Sequence, residues 1–303
     1  MSTVNMRIIP LTIFLTLMVG LTVFAAEEPV TPKSYVTYEP GEGIAIDDLD
    51  ISMKPSTVFV FQGTPNPNRE PGSGDFGVSW VAYLDIEKRF SDWGRAFVEI
   101  KTGLGDTVER DLNLFSNVNY NAYDVGGNIR VRKFWYEQYL FEGQAKVSCG
   151  KYNARDEVCQ NRYAHNDDTQ FIGWLFNKFP AIEWPSDYTF TIHAGLYPRE
   201  IDYLEFEFNF FEGDADWKQI FHRGIYTWQV NVKPASLIGA DKKEWEGNYR
   251  FYGWLDTRKH TKLFPKGAVA SNETKESDYG FGISFDQMIT SQYGVFCLSL
   301  IHI

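Results

Sequence analysis

The chain has 303 residues, 17% of them Phe, Trp or Tyr, and a formal net charge of −11 at pH 7. That acidic balance disfavours nucleic acid and anionic headgroups as partners, since both attract basic surfaces. Cys149, Cys159 and Cys297 are too few for a disulfide scaffold in so long a chain; free thiols are the simpler reading and a Cys149–Cys159 bridge the alternative.

Arg7 places one positive charge ahead of an apolar run from Ile8 to Phe24, and Ala25 and Ala26 then precede Glu27 and Glu28. This is the layout of a cleaved secretory signal peptide. A run of about 17 residues also meets the lower limit for a retained membrane helix, but no basic stop-transfer flank follows it. Residues 1–26 hold Arg7 and no acid, so their removal makes the mature chain one unit more acidic. Residues 27–52 read as an acidic lead-in with no folded domain.

From about residue 53 to 296, period-two alternation dominates. Lipid demands apolar groups on only one face of a spanning strand, so this pattern is the one to expect of a barrel wall. Ala96, Val98 and Ile100 alternate with Arg95, Phe97, Glu99 and Lys101. The same rhythm sets Phe190, Ile192 and Ala194 against Thr189, Thr191 and His193, and Phe206, Phe208 and Phe210 against Glu205, Glu207 and Asn209. Further on, Phe251 and Leu255 oppose Arg250, Tyr252, Trp254 and Asp256, and Phe281, Ile283 and Phe285 oppose Gly280, Gly282 and Ser284. In 130–141 the parity is weakest: Lys133, Trp135 and Glu137 share one face, and Arg132, Phe134 and Tyr136 the other.

A soluble sandwich would also alternate, and loop lengths separate the two. The predicted strands lie at 56–62, 77–89, 94–102, 130–141, 144–151, 188–196, 203–210, 225–233, 247–256, 278–286 and 292–296. Long connections (63–76, 103–129, 152–187, 211–224, 257–277) alternate with tighter ones (91–94, 142–143, 197–202, 234–246, 287–291). Short periplasmic turns and long external loops mark outer-membrane barrels. The fold class is therefore all-β, a transmembrane antiparallel barrel in the bacterial outer membrane, with 27–52 in the periplasm.

About eleven strands is an odd count, whereas a single-chain bacterial barrel needs an even one. The last strand runs through Tyr293 and Val295 into residues 297–303 without a turn or a terminal aromatic strand. An open barrel leaves unpaired backbone groups in hydrocarbon at several kcal/mol each. The expectation is a barrel left incomplete by the chain as given, open at 293–296, with 297–303 a non-native tail that resembles read-through of an adapter.

Familiar chemical motifs are rejected in turn. Gly72, Gly74 and Gly77 match a dinucleotide fingerprint, but follow a Pro-rich loop and precede a strand, so they read as flexible loop. The five histidines have no metal-ligand spacing, and Asp214 with Asp216, like Asp167 with Asp168, reads as solvated loop acids rather than a Ca²⁺ site. No cofactor and no catalytic motif is indicated.

The inward sets carry the functional signal. Arg95, Glu99, Lys101, Arg250, Tyr252, Trp254 and Asp256 mix both charges with aromatics. Charged groups hydrogen-bond sugar hydroxyls and aromatic faces contact the C–H face of a pyranose, whereas a ring of one sign would select ions. Residues 152–186 form a loop too long for a tight turn, with a short helix predicted over 169–178. Folded inward, it narrows the pore and sets Arg155, Asp156 and Arg162 near the constriction; folded outward, it is a cap.

Phe134-Trp-Tyr-Glu-Gln, Gly150-Lys151, Gln160-Asn161, Asn166-Asp167, Thr169-Gln170-Phe171, Pro180-Ala181-Ile182, Gly247-Asn-Tyr-Arg-Phe-Tyr and Gly282-Ile-Ser-Phe-Asp-Gln lie in this order along the chain. With them the chain resembles the carbohydrate-selective outer-membrane porins, the OprB-like family, over roughly residues 77–296. The resemblance implies a sixteen-stranded barrel, monomeric or trimeric, admitting small carbohydrates by passive diffusion, with about the last third absent and no catalytic residues. Val158-Cys159 departs from the family's aromatic and acid. A general or ion-preferring pore is the first alternative, and a barrel enzyme or surface adhesin the second.

Overall fold

The computed structural model describes residues 36–39, 43–46, 49–63, 76–105, 126–158, 160–166, 170, 182–185, 188–238, 246–261, 274–290 and 293–302. The strands are β1 (Val36–Glu39), β2 (Gly43–Ile46), β3 (Ile51–Gly63), β4 (Phe76–Phe90), β5 (Gly94–Gly105), β6 (Arg130–Leu140) and β7 (Ala145–Tyr152). They continue as β8 (Thr189–Leu196), β9 (Leu204–Glu212), β10 (Gly224–Val232), β11 (Gly247–Asp256), β12 (His260–Thr261), β13 (Thr274–Lys275), β14 (Asp278–Met288) and β15 (Gly294–His302). A short α-helix, α1 (Pro234–Ile238), follows β10.

Thirteen strands form one sheet in the order β1-β2-β3-β4-β5-β6-β7-β8-β9-β10-β11-β14-β15, while β12 and β13 pair as a separate hairpin in an external loop. Every pairing is antiparallel. The sheet is open, with β1 and β15 at its two edges. An open edge was the expectation, but it lies further along: β15 carries the ladder through Cys297 and Leu298 to His302. Residues 27–52, expected to be a lead-in without a second folded domain, include β1 and β2, which extend the sheet from the start of β3. Four-residue strands are too short to show alternation in a sequence.

Parity decides which side each residue takes. In β11, Arg250, Tyr252, Trp254 and Asp256 are buried on the inner face, whereas Phe251 on the outer face is 50% exposed. In β14, Tyr279, Phe281 and Ile283 are exposed outward, and Ser284 and Asp286 are buried inward. This is the inversion required of a wall that meets lipid outside and a polar interior inside. The inner face is tied crosswise. His193 Nδ1 lies 2.6 Å from Asn209 Oδ1, and Asn209 Nδ2 donates to Thr227 Oγ1 at 3.1 Å, linking β8, β9 and β10.

The external loop between β9 and β10 folds outward. Trp217 stacks on Phe134 at 5.6 Å and meets Phe190 edge-on, while Phe221 packs against Phe190 and Phe210. These rings form an aromatic layer at the external end of the wall. Asp216 in the same loop accepts from the backbone amide and ammonium of Lys218, at 2.9 and 3.1 Å, and so reads as a solvated loop acid. Cys149 and Cys297 are free thiols, and Cys159 lies outside the described residues. The helix predicted over 169–178 and the acids Asp167 and Asp168 also lie outside them.

Candidate functional site

The connection after β7 enters the barrel. Its first turn is a 3₁₀ helix, Ala154–Asp156, capped by the Asn153 side chain, which accepts from the Arg155 amide at 3.3 Å. Such a cap satisfies an amide that the turn leaves without a backbone partner. Ala154, Val158, Ile182 and Trp184 from this loop are buried against Phe211 of β9, Ile225 of β10, and Tyr252 and Trp254 of β11. The Trp184 and Phe211 rings meet edge-to-face at 6.0 Å. An apolar patch on the inner wall is thus covered by an apolar patch on the loop.

Polar contacts continue the loop across the interior. Asp156 pairs with Lys133 of β6 at 2.7 Å. Asn161 Nδ2 donates to Ser284 Oγ and to the Phe285 carbonyl of β14, both at 3.1 Å. The Arg162 amide donates to Asp286 Oδ2 at 3.3 Å and its guanidinium pairs with Glu246 at 2.5 Å. Tyr163 Oη donates to Met288 Sδ at 2.6 Å, and Gly294 lies so close that an added Cβ would meet that hydroxyl. The loop therefore runs from the external end of β7 to the periplasmic end of β14. Of the two placements expected for it, inward is the one observed.

Among the described residues, a cavity of about 580 Å³ lies between the loop and β3 to β6. The wall contributes Lys54, Tyr83, Asp85, Glu99, Arg132 and Lys133, and the loop contributes Asp156, Glu157 and Gln160. The ring mixes charges: Glu99 lies 3.5 Å from Lys133 and 3.6 Å from Arg132. The Arg132 guanidinium sits over the rings of Tyr188 at 4.3 Å and Tyr83 at 5.8 Å. Glu157 lines the cavity half-buried, and the loss of solvent pushes its carboxyl up to about 7 against the opposing pull of Lys133.

The sequence-predicted residues divide into groups. Glu99 and Asp156 line the cavity. Lys101 is buried beside it with its ammonium 5.3 Å from the Tyr83 ring. Arg95 lies lower on the same wall, paired with Glu137 at 2.8 Å and Glu87 at 3.3 Å and stacked 5.0 Å from Trp135. Arg155 is half-buried in the 3₁₀ turn. Arg162, expected near the constriction, instead anchors the loop to Glu246 on the opposite side.

Four further residues need correction. Arg250 is held by Asp286 at 2.5 Å, with both side chains buried. Asp256 is occupied by Arg258 at 2.6 Å and lies 3.3 Å from His260, which also reaches Glu183 at 3.0 Å. Tyr252 and Trp254 point inward as expected, but the loop covers them, and Trp254 is only 1% exposed. None of the four faces open lumen.

Sequence reasoning missed Lys54, Tyr83, Asp85, Arg132 and Lys133. Parity grouped Arg132 with Phe134 and Tyr136 without deciding which face turned inward; a register shift at Glu99/Ile100 breaks the alternation there, and Arg132 lines the cavity. Lys133 shares its face of that segment with Glu137, and this pairing of opposite charges is the signal that would have found it.

An open antiparallel wall, apolar outside and polar inside, with an external loop folded through its interior, defines the class of outer-membrane diffusion porins. The model of the family described as "Carbohydrate-selective porin, OprB family" matches residues 104–297, and the chain belongs to that family. The fold is similar to that in "High pH structure of Pseudomonas putida OprB", with a TM-score of 0.65 and 13% identity over 85% of this chain and 67% of that one. Among curated proteins none matches. The protein is a carbohydrate-selective outer-membrane porin, a channel for small sugars.

Proposed function

We propose that sugars cross along one wall of the barrel, through the cavity between the inward loop and β3 to β6, and that the opposite side is closed by the loop's own anchors. The observation that carries this reading is the division of the interior. One side is filled by the apolar cluster around Trp184 and Trp254 and by the Asn161 contacts to β14, and the other is left as a polar space of about 580 Å³. That volume falls within the range of small-molecule sites and suits one hexose.

On this reading Glu99, Lys101 and Asp156, joined by Lys54, Asp85, Arg132 and Lys133, meet the solute, and Arg95 orders the wall below them. Arg155 stays with the loop turn, while Arg162, Arg250, Tyr252, Trp254 and Asp256 hold the loop and the far wall. The channel is passive and carries out no reaction. Residues 1–26 are removed on export, and 27–52 lead into the barrel from the periplasm. The test is liposome swelling with the full-length protein and a sugar series. Hexoses should enter faster than amino acids of equal size; equal rates would remove selectivity, and no swelling would remove the channel.

A further inference from the structure

A transverse row of four ionic side chains crosses the cavity floor. Lys54 on β3 is directly opposite Asp85 on β4, Asp85 is opposite Glu99 on β5, and Glu99 is opposite Lys133 on β6. The order of charge is plus, minus, minus, plus. Two carboxylates placed directly opposite each other across a strand pair repel, so the centre of the row favours a positive donor between them.

The ends of the row do not supply that donor in full. Lys133 is committed to Asp156 at 2.7 Å and reaches Glu99 through Oε2 at 3.5 Å. Arg132 Nε approaches Glu99 Oε1 no closer than 3.6 Å. Glu99 is only 8% exposed, yet its Oε1 accepts no hydrogen bond among the described residues, and the same holds for Asp85 Oδ1. Buried acceptors are nearly always satisfied, so Asp85 Oδ1, beside a Glu99 Oε1 that Arg132 Nε meets as an ion pair at 3.6 Å and not as a hydrogen bond, points to a partner that comes from outside the chain.

From this geometry we propose that the site recognises cationic amino sugars, with the ammonium group seated between Asp85 and Glu99 and the hydroxyls of the pyranose reaching Lys54 and the loop. The inference rests on the reading of the cavity as the sugar path. A bare metal ion is a poorer match: the space is far larger than an ion, and no cluster of three or more metal-ligating side chains exists among the described residues. A sugar acid is poorer still, because it would set a third carboxylate against the central pair. Each charge-assisted hydrogen bond is roughly twice as strong as a neutral one, so the ammonium should confer about a tenfold advantage over the corresponding N-acetyl sugar.

The full-length protein in planar bilayers, titrated below the amine pKa, tests this through the block of ion current. Glucosamine should half-saturate at about a tenth of the concentration needed for N-acetylglucosamine, and glucuronate should block least. In Asp85→Asn and in Glu99→Gln the ratio of the two half-saturation values should fall toward one, with gel mobility before and after heating showing that each barrel has assembled. Equal half-saturation in the wild-type channel, or a ratio unchanged in both variants, would overturn the proposal. So would methylammonium blocking as well as glucosamine, since the pair would then bind any small cation. No block by any sugar, glucose included, would instead overturn the reading of the cavity as the sugar path.

Discussion

Trp184→Ala isolates the loop from the wall, because Trp184 belongs to no strand yet packs on Phe211 inside the barrel. A Trp side chain presents on the order of 200 Å², and Trp184 retains only 7% exposure. At about 25 cal/mol/Å² the burial is worth about 5 kcal/mol as an upper limit, and large aromatic truncations in cores cost about 3–5 kcal/mol. Taking about 3 kcal/mol, the ratio of docked to undocked loop falls roughly a hundredfold. Single-channel recording should then show larger, flickering conductance and weaker sugar block. The temperature at which the barrel unfolds on a heated gel should change little, since the strand ladder is untouched. Unaltered conductance and sugar block in an assembled Trp184→Ala barrel would refute the claim that apolar packing holds the loop in the lumen.

Gly150 has φ of +149° and stands opposite Trp135, where an added Cβ would fall 2.3 Å from the Phe134 carbonyl. Gly150→Ala should therefore cost several kcal/mol and abolish the heat-modifiable band of the assembled barrel. Lys133→Gln removes the cation shared by Asp156 and Glu99, and reversal potentials in a KCl gradient should move toward stronger cation selectivity. The carboxyl of Glu157 is pushed up to about 7 by burial, facing Lys133, Asp156, Lys146 and Glu207. Its charged form opposes docking above pH 7, and that penalty fades as pH falls through about 7 and is gone below the unfolded value. Cation selectivity should thus weaken from pH 8 to pH 6 in the wild-type channel and stay flat over that range in Glu157→Gln.

The wall was legible because lipid imposes a rule that every residue in it must obey. The predicted strand over 247–256 coincides with β11, and Phe206 and Phe208 of β9, Phe251 and Leu255 of β11, and Phe281 and Ile283 of β14 lie outward as parity required. The interior was harder to read. Alternation told that Tyr252 and Trp254 point inward, but not that a loop beginning about 100 residues earlier would cover them. The partner of Asn161 lies 123 residues away on β14, and a contact of that range leaves no local trace in one sequence. Arg132 was missed for a different reason. One residue of register shift reverses every later side, and period-two reasoning has no means of seeing it.

The loop's crossing also separates the sheet into two territories. Asn161, Arg162 and Tyr163 grip β14 and its neighbours, while the solute's lane hugs β3 to β6. Substitutions on the gripping side act through the loop's position and would change the width of the lane for every solute alike. Those on the lane side act on the solute directly and would change the order in which solutes are preferred. Width and preference in this channel are therefore separately adjustable, each from its own stretch of the chain.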